Sequence, residues 1–155
     1  MEKKFFIKKY WVLFFCIWMN FGFSQVQVFE INQIDSLMQL KSKPVLILLS
    51  TDWCSYCKVQ KQLVQKSEIF KKQASNFYYS EFDAESFDTV IFNKQQFKNT
   101  NKKKRKTTHE LTMALNGNNK PVYPMWILLD ENYQIIYKYS GFLKPKFLDE
   151  LIEKI

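Results

Sequence analysis

The chain has 155 residues, of which 46% are hydrophobic, and this size and composition argue for one globular domain rather than several. Its formal net charge of +8 would suit a nucleic-acid partner, but four of the lysines lie within the first nine residues. The net charge alone therefore does not identify a nucleic-acid-binding protein.

The first 24 residues have the pattern of a secretory signal peptide, with a basic start, an apolar run over residues 10–23, and small residues at Gly22 and Ser24. We predict cleavage after Ser24, which leaves 19 basic and 14 acidic residues in a domain over residues 25–155. An apolar run of about 14 residues is shorter than the roughly 20 that cross a bilayer, so an uncleaved membrane anchor is the second interpretation. The predicted location is periplasmic or secreted, where disulfides persist.

The segment after the signal predicts a short entry strand, a helix and a buried strand. Residues 25–30 form the predicted entry strand, and residues 31–43 carry Ile31, Ile34 and Leu37 at helical spacing. The sequence PVLILLS, residues 44–50, is a short continuous apolar run bounded by proline and polar residues. Such a run is typical of a strand that is buried on both faces, so we predict that it is the central strand.

Beyond TDW the apolar spacing becomes helical and continues to Ile69 and Phe70, which predicts a helix directly after the central strand. Residues 76–84 alternate in polarity and predict the next strand, so the three elements indicate a parallel crossover. Two short β-prone runs over residues 89–99 predict a hairpin that turns at Asn93 and Lys94. A helix follows the basic run KKKRK, with Thr107 as its expected N-cap and Glu110 as its partner in a capping box.

The C-terminal part of the chain predicts two strands and a helix. Residues 121–130 and 134–142 are joined by a short turn and are therefore expected to pair antiparallel. Residues 144–155 form an amphipathic pattern with apolar residues on one face. The predicted fold is α/β, with a central mixed sheet flanked by helices and a hairpin inserted before the third major helix.

The sequence TDWCSYCK places Cys54 and Cys57 where the central strand gives way to a helix. A closed structural zinc site needs four ligands, and the chain after the signal offers only these two cysteines and His109. Covalent haem attachment requires a histidine after the second cysteine, where Lys58 stands. These observations argue against a metal or haem site, and we expect no cofactor.

A redox pair has a positive mechanism at this position. A sulfur on Cys54 at the first turn of a helix lies near unpaired N–H groups and the positive end of the helix dipole, which favour the thiolate. Cys57, one turn further along, is placed to attack a mixed disulfide on Cys54 and to release the partner. Trp53 is expected to shield the sulfurs and to contact the substrate.

An apolar strand, the motif WCSYCK and a following helix together resemble the thioredoxin-like superfamily, in particular small secreted bacterial members. The resemblance covers roughly residues 30–155 and extends to YPMWILLD, which is similar to the stretch that carries the cis-proline of this superfamily. It implies that Cys54 is the nucleophile and Cys57 the resolving cysteine. It also implies that Tyr123 and Pro124 form the platform for the substrate peptide.

Two positions depart from the family pattern. Thioredoxins carry a buried acid six residues before the first cysteine, where this chain has Leu48, so the proton acceptor for Cys57 is not identified by the resemblance. Met125 replaces the threonine that usually follows the cis-proline. Proton transfer and partner preference are therefore expected to differ from those of thioredoxin.

Other candidate residues have simpler interpretations. His109 is expected to be a surface or packing residue of a helix rather than a general base. Asp52 and Glu81 are expected to be exposed to solvent, although either is a candidate for proton transfer. The basic run, residues 102–106, is expected to be a solvated loop rather than a site for nucleic acid or membrane.

The sequence therefore predicts a monomeric extracytoplasmic thiol-disulfide oxidoreductase that acts on protein thiols and disulfides and is recharged by an upstream redox partner. We expect no nucleic-acid partner, and membrane contact only through an uncleaved N-terminal segment. The alternative is a non-catalytic binding or assembly module of the cell envelope, in which the cysteine pair is a structural staple. The direction of electron flow does not follow from Ser55 and Tyr56, which match neither thioredoxin nor protein disulfide isomerase.

Overall fold

The computed structural model describes residues 25–99, 107–117 and 119–155. The predicted signal peptide and the basic run therefore lie outside the described residues. The strands of this part of the chain are β1 Val45–Ser50, β2 Tyr78–Asp83, β3 Val90–Phe92, β4 Gln95–Phe97, β5 Met125–Leu129 and β6 Ile135–Ser140. Its α-helices are α1 Ile34–Leu40, α2 Ser55–Lys66, α3 Glu68–Gln73, α4 Glu110–Asn116 and α5 Pro145–Ile152.

The central sheet is mixed and has the strand order β2-β1-β5-β6. β1 pairs in parallel with β2 and antiparallel with β5, and β5 pairs antiparallel with β6. The chain reaches β2 from β1 through α2 and α3, which is the helical connection that a parallel pair requires. The predicted mixed sheet, its parallel crossover and its C-terminal antiparallel pair are confirmed.

The central strand β1 is buried along its whole length, as its apolar sequence predicts. Successive side chains point to opposite faces of a sheet, so β1 contributes to two cores. Ile47 packs on one side with Ile34 of α1, and Leu48 packs on the other with Val64 of α2. Burial of each such side chain stabilises the fold by about 1.5–3 kcal/mol. The side chains of β1 on the Leu48 side thereby hold α2 against the sheet.

The predicted hairpin is confirmed as β3 and β4, which precede α4 and form a separate two-stranded sheet. Asn93 and Lys94 form its turn and both have positive φ, at 50° and 60°. This is the backbone pattern of a tight two-residue hairpin turn. The Asp35 carboxylate accepts hydrogen bonds from both turn N–H groups, at 2.8 and 2.7 Å, and so fastens the hairpin to α1.

The N-terminal prediction is wrong in one respect, because residues 25–30 do not form a strand. The Phe29 N–H donates a hydrogen bond to the Tyr79 carbonyl at 2.8 Å. A ladder needs successive bonds of this kind, but the chain turns into a 3-10 turn at Ile31–Gln33. The predicted first helix is therefore that turn followed by α1.

Two helix boundaries also differ from prediction. The helix after the cysteines breaks at Ser67, whose hydroxyl accepts from the Phe70 N–H and begins α3. The N-cap of α4 is His109 rather than Thr107. Glu110 does not close a capping box on Thr107, because its carboxylate accepts instead from the Lys98 N–H at 2.9 Å.

Candidate active site

The two cysteines lie where β1 ends and α2 begins. Cys54 is the N-cap of α2, Cys57 lies in its first turn, and the two are joined by a disulfide. Their Cα atoms are 5.3 Å apart. Burial differs between them, because 6% of Cys54 is exposed against 1% of Cys57. The more exposed cysteine is therefore the one that sequence reasoning assigned as the nucleophile.

The Cys54 sulfur occupies the place of a capping side chain. The Cys57 N–H donates to Cys54 Sγ at 3.1 Å. An N-cap acceptor satisfies one of the unpaired N–H groups of the first turn, and the helix dipole favours negative charge at the same point. Both effects are larger for a thiolate than for a thiol, so this position favours ionisation of Cys54 after reduction.

The second part of the site comes from the entry to β5. The Tyr123–Pro124 peptide bond is cis, and Pro124 directly precedes Met125, which pairs with Leu49 of β1. Pro124 therefore lies at the edge of the sheet from which the cysteine segment leaves β1. Sequence analysis placed a cis-proline at this position from the family resemblance, and the structure has one.

Trp53 links the two parts of the site. Its ring meets the Tyr123 ring edge to face, with a centroid distance of 6.3 Å. Its indole N–H donates to the Glu85 carboxylate at 2.9 Å, although 57% of the residue is exposed. The ring is thus oriented by protein contacts while much of it stays open to a binding partner.

Burial raises the pKa of Tyr123 to about 12. The nearby Thr108 side chain opposes the rise in the pKa, and the carboxylates of Glu85 and Asp83 add to it. The phenol next to the cis-proline is therefore neutral throughout the range in which thiols exchange.

Sequence reasoning missed the contacts that two further residues of α2 make. Tyr56, 67% exposed, packs against Phe142 with a centroid distance of 6.0 Å. Gln60 is fully buried, and its side chain donates to the Leu143 carbonyl at 3.2 Å and accepts from the Leu143 N–H at 2.8 Å. The position of Tyr56 between the cysteines was a usable signal, whereas no local pattern connects Gln60 with Leu143.

The remaining candidates lie in different environments. Asp52 and Lys58 are exposed. His109 is fully buried, its Nδ1 accepts from the Leu111 N–H at 3.1 Å, and its Nε2 lies 2.9 Å from the Asp88 carbonyl. The histidine is therefore a capping and packing residue. Glu81 was expected to be exposed, but only 17% of its side chain is, and it pairs with Lys61.

Neither a metal site nor a membrane span is found in the part of the chain that the structure describes. In residues 25–99, 107–117 and 119–155, no three His, Cys, Asp or Glu side chains lie close enough together to hold a metal ion. Within the same residues no helix has both the length and the apolar character needed to cross a bilayer.

Comparison with known families finds one match that covers most of the chain. The profile of a thioredoxin-like domain family matches residues 32–155, which include the cysteines, Tyr123 and Pro124. A search of curated proteins finds no significant match.

Solved structures share the fold at low sequence identity. A mutant thioredoxin from Halobacterium salinarum is 15% identical with a TM-score of 0.53, over 84% of this chain and 92% of that one. A disulphide isomerase from Xylella fastidiosa is also 15% identical with a TM-score of 0.53, over 79% of this chain and 87% of that one. A thioredoxin-fold protein from Helicobacter pylori is 16% identical with a TM-score of 0.55, over 72% of this chain and 68% of that one.

Proposed function

The chain belongs to the thioredoxin-like domain family, and we propose that it is an extracytoplasmic thiol-disulfide oxidoreductase that exchanges disulfides with protein substrates. One observation carries the proposal: the sulfur of the more exposed cysteine caps the helix that also holds the second cysteine. Family membership with a Cys-X-X-Cys pair supports thiol-disulfide chemistry in general. The protein substrates and the location are the proposed refinement.

In the reducing direction, the Cys54 thiolate attacks one sulfur of a substrate disulfide. A mixed disulfide forms, and the other substrate sulfur leaves with the electron pair and takes a proton. The Cys57 thiolate then attacks Cys54 Sγ, closes the Cys54–Cys57 disulfide and releases the second substrate thiol. The substrate gains two electrons and the pair loses two. The oxidising direction is the reverse sequence, and no bound cofactor is required in either.

The substrate is held beside the disulfide by an aromatic surface. Trp53, which precedes Cys54 in the chain, packs against Tyr123, and Tyr56, which stands between the two cysteines, packs against Phe142. Pro124 follows Tyr123 and directly precedes β5. Aromatic rings provide large contact areas with little loss of side-chain entropy, which suits a site that receives many protein partners briefly.

The proposed location and partners follow from the N-terminal pattern and the redox chemistry. A chain exported through residues 1–24 and cleaved after Ser24 meets proteins whose cysteines are exposed to an oxidising compartment. Continuous turnover requires a second redox partner that restores the starting state of Cys54 and Cys57. We propose that the mature chain is a monomer and has no nucleic-acid partner.

Trapping of mixed disulfides tests the function. In Cys57→Ser the first attack still occurs but the resolving thiol is missing, so covalent complexes with exported proteins should accumulate. These complexes should dissociate under reducing conditions and should be absent from Cys54→Ser, which is the matched control. The trapped chain should begin at Gln25 when its N-terminus is sequenced.

Two outcomes would contradict the proposal. Cys57→Ser without covalent partners, together with a wild-type disulfide that resists reduction, would favour the binding or assembly module with a structural staple. Complexes formed by both variants alike would show that the attacking thiol is not Cys54.

A further inference from the structure

The buried resolving cysteine needs a proton acceptor. Cys57 attacks as a thiolate, but only 1% of the residue is exposed, so it cannot lose its proton directly to bulk water. Desolvation alone disfavours the charged form of such a buried thiol. A base near α2 would therefore accelerate the resolving step, and that step rests on the function proposed above.

We infer that the carboxylate of Glu81 accepts the Cys57 proton. Glu81 is opposite Leu48 in the parallel pair of β2 and β1, and Leu48 belongs to the core that packs against α2. Paired residues on neighbouring strands point to the same face of a sheet. The Glu81 side chain therefore extends from the edge strand onto the sheet face that α2 covers.

An ion pair fixes the carboxylate next to the turn of α2 that follows Cys57. Lys61 Nζ lies 3.1 Å from Glu81 Oε2, and Lys61 is four residues after Cys57. Residues at this spacing lie on the same face of a helix, about 6 Å apart along its axis. The lysine that holds the carboxylate thus lies one helical turn after the resolving cysteine.

The second carboxylate oxygen is also held. Tyr79 Oη donates to Glu81 Oε1 at 3.0 Å, and Tyr79 itself is buried under the helices. Burial raises the pKa of the Tyr79 phenol, and the charge of Glu81 raises it further, so the phenol stays a donor. With both oxygens held, the carboxylate has a defined position and keeps free lone pairs for water.

A path to solvent lies on the outer side of the carboxylate. A cleft of about 340 Å³ opens beside Glu81 and is lined by Val28, Lys61, Gln62, Gln65, Lys66 and Glu81. Water in this cleft can exchange protons with the carboxylate. The charged groups that face Glu81 are Lys61 and Lys66 of α2. On its own strand, Tyr79 and Asp83 are the titratable neighbours on the same face.

The Cys57 S–H proton passes through water to Glu81, and the resulting thiolate attacks Cys54 Sγ of the mixed disulfide. The bond between Cys54 and the substrate sulfur breaks, and that sulfur leaves with the electron pair and takes a proton from solvent. Glu81 then returns its proton to the water of the cleft.

A reaction with 5,5′-dithiobis(2-nitrobenzoate) separates the two steps in the reduced full-length protein when Cys16→Ser is present in every sample, because Cys54 and Cys57 are then its only thiols. The first aryl thiolate released reports attack by Cys54, and the second reports attack by Cys57 on the mixed disulfide. In wild type the rate of the second aryl thiolate release should decrease when the pH is lowered into the range in which a carboxylate takes up a proton. Glu81→Gln should remove this pH dependence and slow the second release by about a hundredfold near neutral pH, without changing the first release.

Two further variants separate proton transfer from structure. Lys61→Gln breaks the ion pair but keeps the carboxylate, so its carboxyl-dependent fall in rate should persist. Asp83→Asn removes the next carboxylate along β2, whose Oδ1 accepts from the Glu85 N–H at 3.0 Å, and its carboxyl-dependent fall in rate should remain.

The inference is overturned if Glu81→Gln keeps the wild-type rate and pH profile of the second release. It is also overturned if Asp83→Asn, rather than Glu81→Gln, loses the carboxyl-dependent fall in rate. The proposed function fails separately, because a wild-type protein without redox activity would not release the second aryl thiolate at all.

Discussion

At the scale of single residues, the chemistry depends on where each ionisable group lies relative to the start of α2. Cys54 receives an N–H from the first turn, whereas Cys57 lies inside the helix and is nearly inaccessible. The same environment that protects Cys57 from random oxidants also obstructs its deprotonation. The two cysteines therefore have different roles because Cys54 caps the helix, whereas Cys57 lies inside its first turn.

Tyr123 gives a test of the site at high pH. Burial, followed by the nearby Glu85 and Asp83, raises its pKa to about 12, above the value near 10 of an unfolded chain. A folded-state pKa that is raised contributes stability below pH 10, and this stability is lost as the pH rises through 12. Tyr123→Phe should therefore lose less stability than wild type between pH 10 and 12. After allowance for solvent screening, the difference should be below about 1 kcal/mol at pH 11.

Urea unfolding of the oxidised protein at pH 9 and pH 11 measures this difference. Tyr56→Phe is the control, because its ring is largely exposed in the folded protein. If wild type and Tyr123→Phe lose the same unfolding free energy between pH 9 and pH 11, the pKa of Tyr123 is not raised in the folded protein.

At the scale of secondary-structure elements, the site is held together by a few contacts between distant parts of the chain. Gln60 of α2 makes two hydrogen bonds to the backbone of Leu143, next to Phe142. Ser67 begins α3 and its hydroxyl donates to Asp149 of α5 at 2.7 Å. These bonds fix α2 against the segment after β6 and so set the spacing of the Tyr56–Phe142 pair.

Removing the Gln60 side chain should be costly. Gln60→Ala leaves the N–H and the carbonyl of the buried Leu143 without partners, and each such group costs about 1–3 kcal/mol. We expect the free energy of unfolding to fall by about 2–4 kcal/mol in urea titrations. Gln62→Ala, at an exposed position of the same helix, should change it little.

A Gln60→Ala protein as stable as Gln62→Ala would mean that the two hydrogen bonds contribute nothing net. In that case the segment after β6 would need another anchor, and the Tyr56–Phe142 contact would not depend on α2.

At the scale of the whole molecule, local patterns were sufficient for most of the architecture. The apolar run of β1 predicted a strand buried on both faces, and Asn93 with Lys94 predicted the hairpin turn. Features set by distant partners were missed. The Glu81–Lys61 pair depends on the register that places Glu81 opposite Leu48.

The boundary errors have the same origin. Thr107 satisfies every local rule for an N-cap, but the His109 N–H donates to the Ala84 carbonyl at 2.8 Å, and its ring then caps α4. Residues 25–30 have strand-like composition, yet a strand needs a paired edge along its length. The cysteine site was predictable because its chemistry is local, one strand end followed by one helix start.

The equilibrium reduction potential of the Cys54–Cys57 pair tests the central claim most directly. Purified protein equilibrated with mixtures of reduced and oxidised glutathione should convert reversibly between dithiol and disulfide, as read by alkylation of free thiols and mass spectrometry. We predict a potential between about −270 and −120 mV, which is the range of cellular thiol-disulfide oxidoreductases. A pair that stays oxidised, with a potential below about −300 mV, would be a structural staple and would contradict the account.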